Sequence, residues 1–394
     1  MSAAYAPPAA DLDALGRRAL ALGVAGAVVS AAGLFLDPDQ FFRSYLVAFT
    51  DWAGVALGCL AISMLHVMSR GAWGVMLRRI LEAGSRTLPL FAVLAVPVVL
   101  GVRRVYPWAD AARVAGDELL RHKAPYLNTG FFALRLAFYF VIWIGFAFAL
   151  SRLGRLQDET GDAGLERRMQ ILAGPGLGLY GLLVSFFGID LLMSVDPHWF
   201  SAIYGIYVLG GQAVSGMSLA ILVAVWLSGR APMEGVYQPR HLHDWGKLLF
   251  AFTMLWSYFA VSQLVIIWSG DLPEEIPFFK VRLHGSWGAA SLVLVLFHWL
   301  LPFLLLLSRN LKRDGRRLAR VALLLLVVRW LDIHWLVAPA FSPGRFTIHW
   351  LDVSLSAAIG GLWASLFARE LKARPLLPVH DPNLPAALEV HAHG

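Results

Sequence analysis

The sequence predicts an all-α fold, a polytopic integral membrane helical bundle of about ten transmembrane helices. Three observations predict it. Hydrophobic residues make up 58% of the 394-residue chain and charged residues 15%, a balance few water-soluble domains could bury. The apolar residues fall in repeated runs of about 20, the length a helix needs to cross a hydrocarbon core of about 30 Å. The basic residues behind the formal net charge of +7 lie in short connections between those runs. Such scattering argues against a nucleic-acid-binding face and instead sets topology.

In chain order, spans are predicted over 18–36, 44–68, 87–106, 129–151, 171–195, 199–228, 244–269, 283–308, 318–336 and 347–369. The run 199–228 is long enough to tilt or to extend past the bilayer, whereas 318–336 is short. Residues 1–17 then form a cytoplasmic N-terminal segment, 18–369 a ten-helix transmembrane domain and 370–394 a Pro-rich cytoplasmic tail. Ser30-Ala31-Ala32-Gly33 has the look of a signal-cleavage site. The long segment before the first span, with Pro7, Pro8, Asp11 and Asp13, favours a retained span instead. Lys and Arg concentrate in the segments on the N-terminal side, among them Arg78, Arg79, Arg167, Arg168, Arg316 and Arg317. Both termini are therefore expected in the cytoplasm. Trp73, Met76, Leu77, Ile80 and Leu81 recur at helical spacing with Arg70, Arg78 and Arg79 between them, which predicts a helix lying along the inner membrane face.

Several chemistries are excluded. Cys59 is the only cysteine, so neither an internal disulfide, nor a c-type haem attachment, nor a thiolate-held iron–sulfur cluster can be built. His284 and His298 stand about four helical turns apart on one predicted span, a spacing suited to b-type haems. No second span carries a matching pair. There is no Gly-x-x-x-x-Gly-Lys phosphate loop. No metal ligand and no catalytic residue is assigned, and the chain is expected to carry no cofactor.

An ionisable group inside a span costs several kcal/mol unless paired or wetted, so each marks a structural lock or a pathway. Asp51, Arg135, Asp190, His198, Asp332, His334, His349 and Asp352 are the proton-path or quinone-facing candidates, all toward the expected outer leaflet. Arg329 and Asp332, three residues apart, read as mutual neutralisation. His349, Asp352 and Ser356 form one polar stripe that reads equally as a neutralised pair or a path. Asp190 has no partner in its own helix and is the foremost candidate. Asp196-Pro197 reads as an N-cap and first helical position, with His198 and Trp199 at the interface. Asp271, Glu274 and Glu275, in an acidic and aromatic outer loop, read either as a solvated turn or as a partner-docking surface.

The run Phe187-Gly188-Ile189-Asp190-Leu191-Leu192-Met193-Ser194-Val195-Asp196-Pro197-His198-Trp199-Phe200-Ser201 resembles the F subunit of bacterial alternative complex III, a quinol:cytochrome c oxidoreductase. His243-Asp244-Trp245-Gly246-Lys247-Leu248-Leu249-Phe250-Ala251-Phe252 through Trp256-Ser257-Tyr258 and Ser262-Gln263 to Pro273-Glu274-Glu275, Asp332-Ile333-His334-Trp335 with Pro339-Ala340-Phe341, and the tail Pro375-Leu376-Leu377-Pro378-Val379-His380-Asp381-Pro382-Asn383-Leu384 carry the same resemblance. It implies an NrfD-like ten-helix subunit of the bacterial inner membrane, in contact with membrane lipid. Its implied partners are a homologous NrfD-like C subunit, an iron–sulfur B subunit and haem c subunits. Haem c, iron–sulfur clusters and quinol would belong to those partners, and this chain would serve as scaffold and candidate proton route. Two other classes stay open, a quinone-binding anchor of another NrfD-like oxidoreductase and a secondary transporter. For a transporter, no halves-repeat is legible, and the breaks at Pro89, Pro97 and Pro302 do not correspond.

Overall fold

A computed structural model describes residues 5–389, so positions 1–4 and 390–394 of the expected terminal segments lie outside the described residues. Ten helices are long and apolar enough to cross a membrane, and among the described residues there is no strand. They are α1 Ala9–Leu36, α2 Pro38–Ser69, α3 Arg78–Leu100, α4 Thr129–Thr160, α5 Gly164–Val195, α6 Tyr204–Leu227, α7 Pro239–Gly270, α8 Gly285–Leu307, α9 Gly315–Ala340 and α10 Trp350–Lys372. An even number of crossings leaves both ends of the chain on one face, called here the termini face.

Local chemistry sets the boundaries. Asp37 caps α2 by accepting from the Gln40 amide at 3.1 Å, with Pro38 at the first helical position. Asn128 caps α4 through the Phe131 amide at 2.9 Å. Gly161, at φ 67°, ends that helix in the left-handed conformation glycine adopts without strain. One expected start fails. Asp196 caps no helix: its carbonyl accepts from the Trp199 amide in a turn, and α6 begins only at Tyr204. The delay follows from Trp199, which folds inward to stack on Phe278 at 3.8 Å and pack against Tyr204.

The helices close into two rings. In the first, α2, α3, α4 and α5 each touch the next and α5 returns to α2; in the second, α6, α7, α8 and α9 do the same. Helices α2 and α6 join the rings back to back, and α5 against α6 mirrors α9 against α2. Corresponding helices run in the same direction, so the arrangement is a parallel repeat about an axis along the membrane normal. The sequence shows no such repeat because it resides in which helices adjoin rather than in residue identity. At the junction Gly58 and Gly216 face each other, and a Cβ on Gly216 would lie 2.5 Å from the Gly58 carbonyl carbon. Helices in lipid associate by close packing of small residues, and this contact is of that kind. Helix α2 is correspondingly the most enclosed span, 89% of its apolar window being buried, against 22% for α1, which packs outside on α10.

The segment of Trp73, Met76, Leu77, Ile80 and Leu81, expected as a helix along the inner membrane face, is instead broken after Val75, and residues 78–85 lie inside the bundle. They are buried and open α3, because their arginines have acids to meet: Arg78 pairs with Glu82 at 3.0 Å and Asp381 at 2.8 Å, and Arg79 pairs with Glu82 at 2.5 Å and with Asp158. Asp381 belongs to the Pro-rich tail, which is folded onto the termini face. Along that tail Arg374 donates to the Ser151 carbonyl at 3.0 Å, His380 Nδ1 meets the Asp158 carbonyl at 2.7 Å, and the Ala387 carbonyl accepts from Arg240 at 2.7 Å. The tail thus straps the first ring to the start of α7 in the second.

Candidate functional site

Each ring holds one buried carboxylate near the face opposite the termini. In the first, Asp190 on α5 accepts from Arg135 Nε and Nη2 on α4, both at 2.9 Å, and from the Tyr139 hydroxyl at 2.8 Å. The partner that Asp190 lacks in its own helix is supplied by the neighbouring one. Arg135 also donates to the Tyr126 carbonyl at 2.8 Å and stacks on the Tyr126 ring at 3.8 Å. In the second ring, Asp332 on α9 pairs with Arg329, accepts from the Tyr207 hydroxyl on α6, and accepts from Trp256 Nε1 on α7 at 3.1 Å. The Arg329 guanidinium lies on Gly211, where any Cβ would collide with it. Buried pairs of this kind add little net stability, but removing one partner leaves an uncompensated charge.

Asp51 differs. It sits on α2 within electrostatic reach of Arg329 and Asp332, is only half-buried, and makes no side-chain hydrogen bond among the described residues. Asp190, Asp332 and Asp352 all accept side-chain or amide donors, and among the described residues Asp51 does not.

The remaining expected positions divide between caps and surface. His349 caps α10, its Nδ1 accepting from the Leu351 amide at 3.3 Å, while Asp352 accepts from the His349 amide at 2.7 Å and from Ser44 on α2 at 2.5 Å. This reciprocal cap ties α10 to α2. Ser356, the third member of that stripe, accepts instead from Trp330 Nε1 at 2.8 Å. His334 is buried against Trp330 and Trp287, with Nε2 meeting the Thr347 carbonyl at 3.1 Å and Nδ1 unpartnered. His198 is exposed and pairs with Asp117 at 2.6 Å. Asp271, Glu274 and Glu275 carry no side-chain hydrogen bond or ion pair among the described residues; the first two are exposed. Beside them Arg282 donates to the carbonyls of Phe278, Trp335 and Leu336 at 3.0, 3.1 and 2.9 Å. Burial lowers its pKa to about 10, so it remains a cation at neutral pH.

Below Asp51 and Asp332, the α2/α6 junction carries polar groups that a search for ionisable residues passes over. Tyr207, Ser215 and Ser218 fall on one stripe of α6, spanning a rise of about 16 Å. Gln212 lies beside them and accepts from the Tyr180 hydroxyl at 2.6 Å. Gln212 Nε2, Ser218 Oγ and His66 Nδ1, the last near the termini face, are buried without a partner. Polar atoms in that condition are ordinarily satisfied by internal water. The only sequence signal for them is a polar residue inside an otherwise apolar run.

The histidines whose spacing suits haem are in different settings. His284 is exposed at the start of α8, whereas His298 is fully buried in a π-helical turn over 295–300 with neither ring nitrogen partnered. Pro302 has no amide to return to the His298 carbonyl, which is the local reason for the wider turn. Next to it, Trp256, Trp299, Trp335, Phe279 and Tyr207 line an apolar cavity of about 120 Å³. Among the described residues, no three His, Cys, Asp or Glu side chains converge as a metal-ion set.

The fold defines a ten-helix, all-α integral membrane protein. No protein-family model matches the chain, and no curated protein matches its sequence.

Proposed function

We propose that this chain is a cofactor-free membrane subunit of a bacterial quinol:cytochrome c oxidoreductase of the alternative complex III kind, acting as scaffold and proton route. The observation that carries the route is the α2/α6 junction. It has a free carboxylate, Asp51, at one end and unpartnered polar atoms of Gln212, Ser218 and His66 toward the other. Relay through such a line needs groups that can exchange a proton and water to join them. Asp190 and Asp352, each fully engaged by fixed donors, act as locks in this reading. The membership rests on the sequence resemblance. Redox chemistry would reside in the partners: a homologous C subunit, an iron–sulfur B subunit and haem c subunits, the latter meeting the loop of Asp271, Glu274 and Glu275. The chain would lie in the inner membrane with both termini cytoplasmic.

Two measurements test this. Purification in mild detergent should recover the chain with haem- and iron–sulfur-bearing partners; recovery alone rejects membership. In proteoliposomes, Asp51→Asn should assemble normally yet lose proton movement coupled to quinol oxidation, and wild-type coupling rejects the route. A second reading, a quinone-binding anchor, is favoured by the aromatic cavity beside the π-helical His298, whose apolar walls suit a lipophilic ring. It predicts protection of that cavity from labelling by an added quinone.

A further inference from the structure

A separate cavity of about 690 Å³ opens on the face opposite the termini, between the 119–127 segment, the end of α5 and the 197–200 turn. It has polar and apolar parts arranged in order. At its mouth, Lys123 donates to the Pro197 carbonyl at 2.6 Å and has no carboxylate partner. His122, exposed beside it, makes no hydrogen bond among the described residues. Two acids lie within electrostatic reach of Lys123 without pairing with it: Asp196, which is outside the cavity lining, and Asp117, which is already occupied by the amides of Leu119 and Leu120 and by His198. Glu274 is the acid that lines the cavity itself, and it makes no side-chain hydrogen bond or ion pair among the described residues. The mouth therefore offers an ammonium outside any ion pair, an exposed imidazole and the Glu274 carboxylate.

The floor is apolar, and it continues into the membrane. Ile189 and Met193 line the cavity, and Leu182 and Phe186 extend the same stripe of α5 at i, i+4, i+7 and i+11. Leu182 and Phe186 are exposed within the spanning segment. Phe200, also exposed, forms another wall with Lys123 above its ring at 6.0 Å.

We propose that this cavity binds a zwitterionic phospholipid of the phosphoethanolamine class. The phosphate lies at Lys123 and His122, the ammonium at Glu274, and an acyl chain runs along Met193, Ile189, Phe186 and Leu182. An anionic phosphoglycerol lipid satisfies Lys123 and His122 but sets no positive group against Glu274. A partner peptide would not account for the stripe descending into the lipid-facing surface. The inference is independent of the respiratory assignment.

The test uses the full chain, with any subunits that copurify, exchanged into micelles containing phosphoethanolamine and phosphoglycerol lipids of matched chains in equal amounts. Native mass spectrometry then reads the lipid retained. The wild type should keep a phosphoethanolamine lipid. Lys123→Ala and His122→Ala should each lower retention about tenfold, the loss of about 1.4 kcal/mol expected for one weakened charge-assisted contact. Glu274→Gln should keep lipid but lose the preference between headgroups. His122 and Glu274 are exposed, so their variants serve if Lys123→Ala does not fold. Preference of the wild type for phosphoglycerol overturns the headgroup assignment. Equal retention of both lipids by all four proteins, or a cavity occupied by a partner segment, overturns the site.

Discussion

Replacing Asp381 with alanine should release the C-terminal strap. In the buried cluster on the termini face, the cations Arg78, Arg79 and Arg374 are balanced by the acids Glu82, Asp158 and Asp381. The substitution leaves that cluster with one uncompensated positive charge. Breaking a buried pair costs about 3–5 kcal/mol. The lower end applies, because Arg78 Nε still donates to Glu82 and Arg78 Nη1 still donates to Gln157 at 3.0 Å. At about 1.4 kcal/mol per decade, a cost of about 3 kcal/mol raises the undocked population of the tail roughly a hundredfold. Limited proteolysis within 373–389 in detergent measures that population when opening is fast relative to cleavage. The double variant Arg78→Met/Asp381→Leu removes both charges together and should recover most of the protection. An unchanged cleavage rate in Asp381→Ala, or a double variant as labile as the single one, would refute the reasoning.

Other outcomes follow from the same geometry. Asp190→Asn leaves Arg135 without its carboxylate and should lower stability by about 3 kcal/mol, read as a reduced thermal midpoint in detergent. Asp51→Asn removes no hydrogen bond seen here and should leave that midpoint unchanged, while abolishing coupled proton movement. Gly216→Val places a branched side chain against the Gly58 backbone and should cost about 1–3 kcal/mol or more, reported by looser association of the two rings on cysteine cross-linking between α2 and α6. Outside the membrane, the Leu120 amide and the His198 ring hold the Asp117 carboxyl below its ordinary value. A depressed carboxyl contributes stability that is complete above the unfolded pKa and is lost as pH falls through the folded one. The amides of Leu119 and Leu120 should therefore stay protected from hydrogen exchange from neutral pH down to the ordinary aspartate range, near 3.8, and lose protection below it.

What the sequence by itself determined was the set of helices. Hydrophobic run length is a local property, and it placed ten spans to within a few residues at most ends. The span expected at 318–336 proves to be a full crossing over Gly315–Ala340, because Asp314 caps it through the Arg317 amide at 3.1 Å and the helix continues past Val337. The unusual charges were legible for the same reason, since Asp51, Arg135, Asp190, Arg329 and Asp332 interrupt apolar runs. Their roles were not. Whether a carboxylate is a lock or a free group depends on what another helix puts beside it: Arg135 and Tyr139 donate to Asp190, whereas among the described residues no side chain donates to Asp51. Only the tertiary structure decided that 78–85 is an interior segment. An arginine-rich amphipathic pattern suits a membrane surface equally well until Asp158 and Asp381, remote in sequence, are brought to it. The two-ring repeat, the docked tail and the unpartnered groups between α2 and α6 are likewise facts of adjacency, which no local pattern encodes.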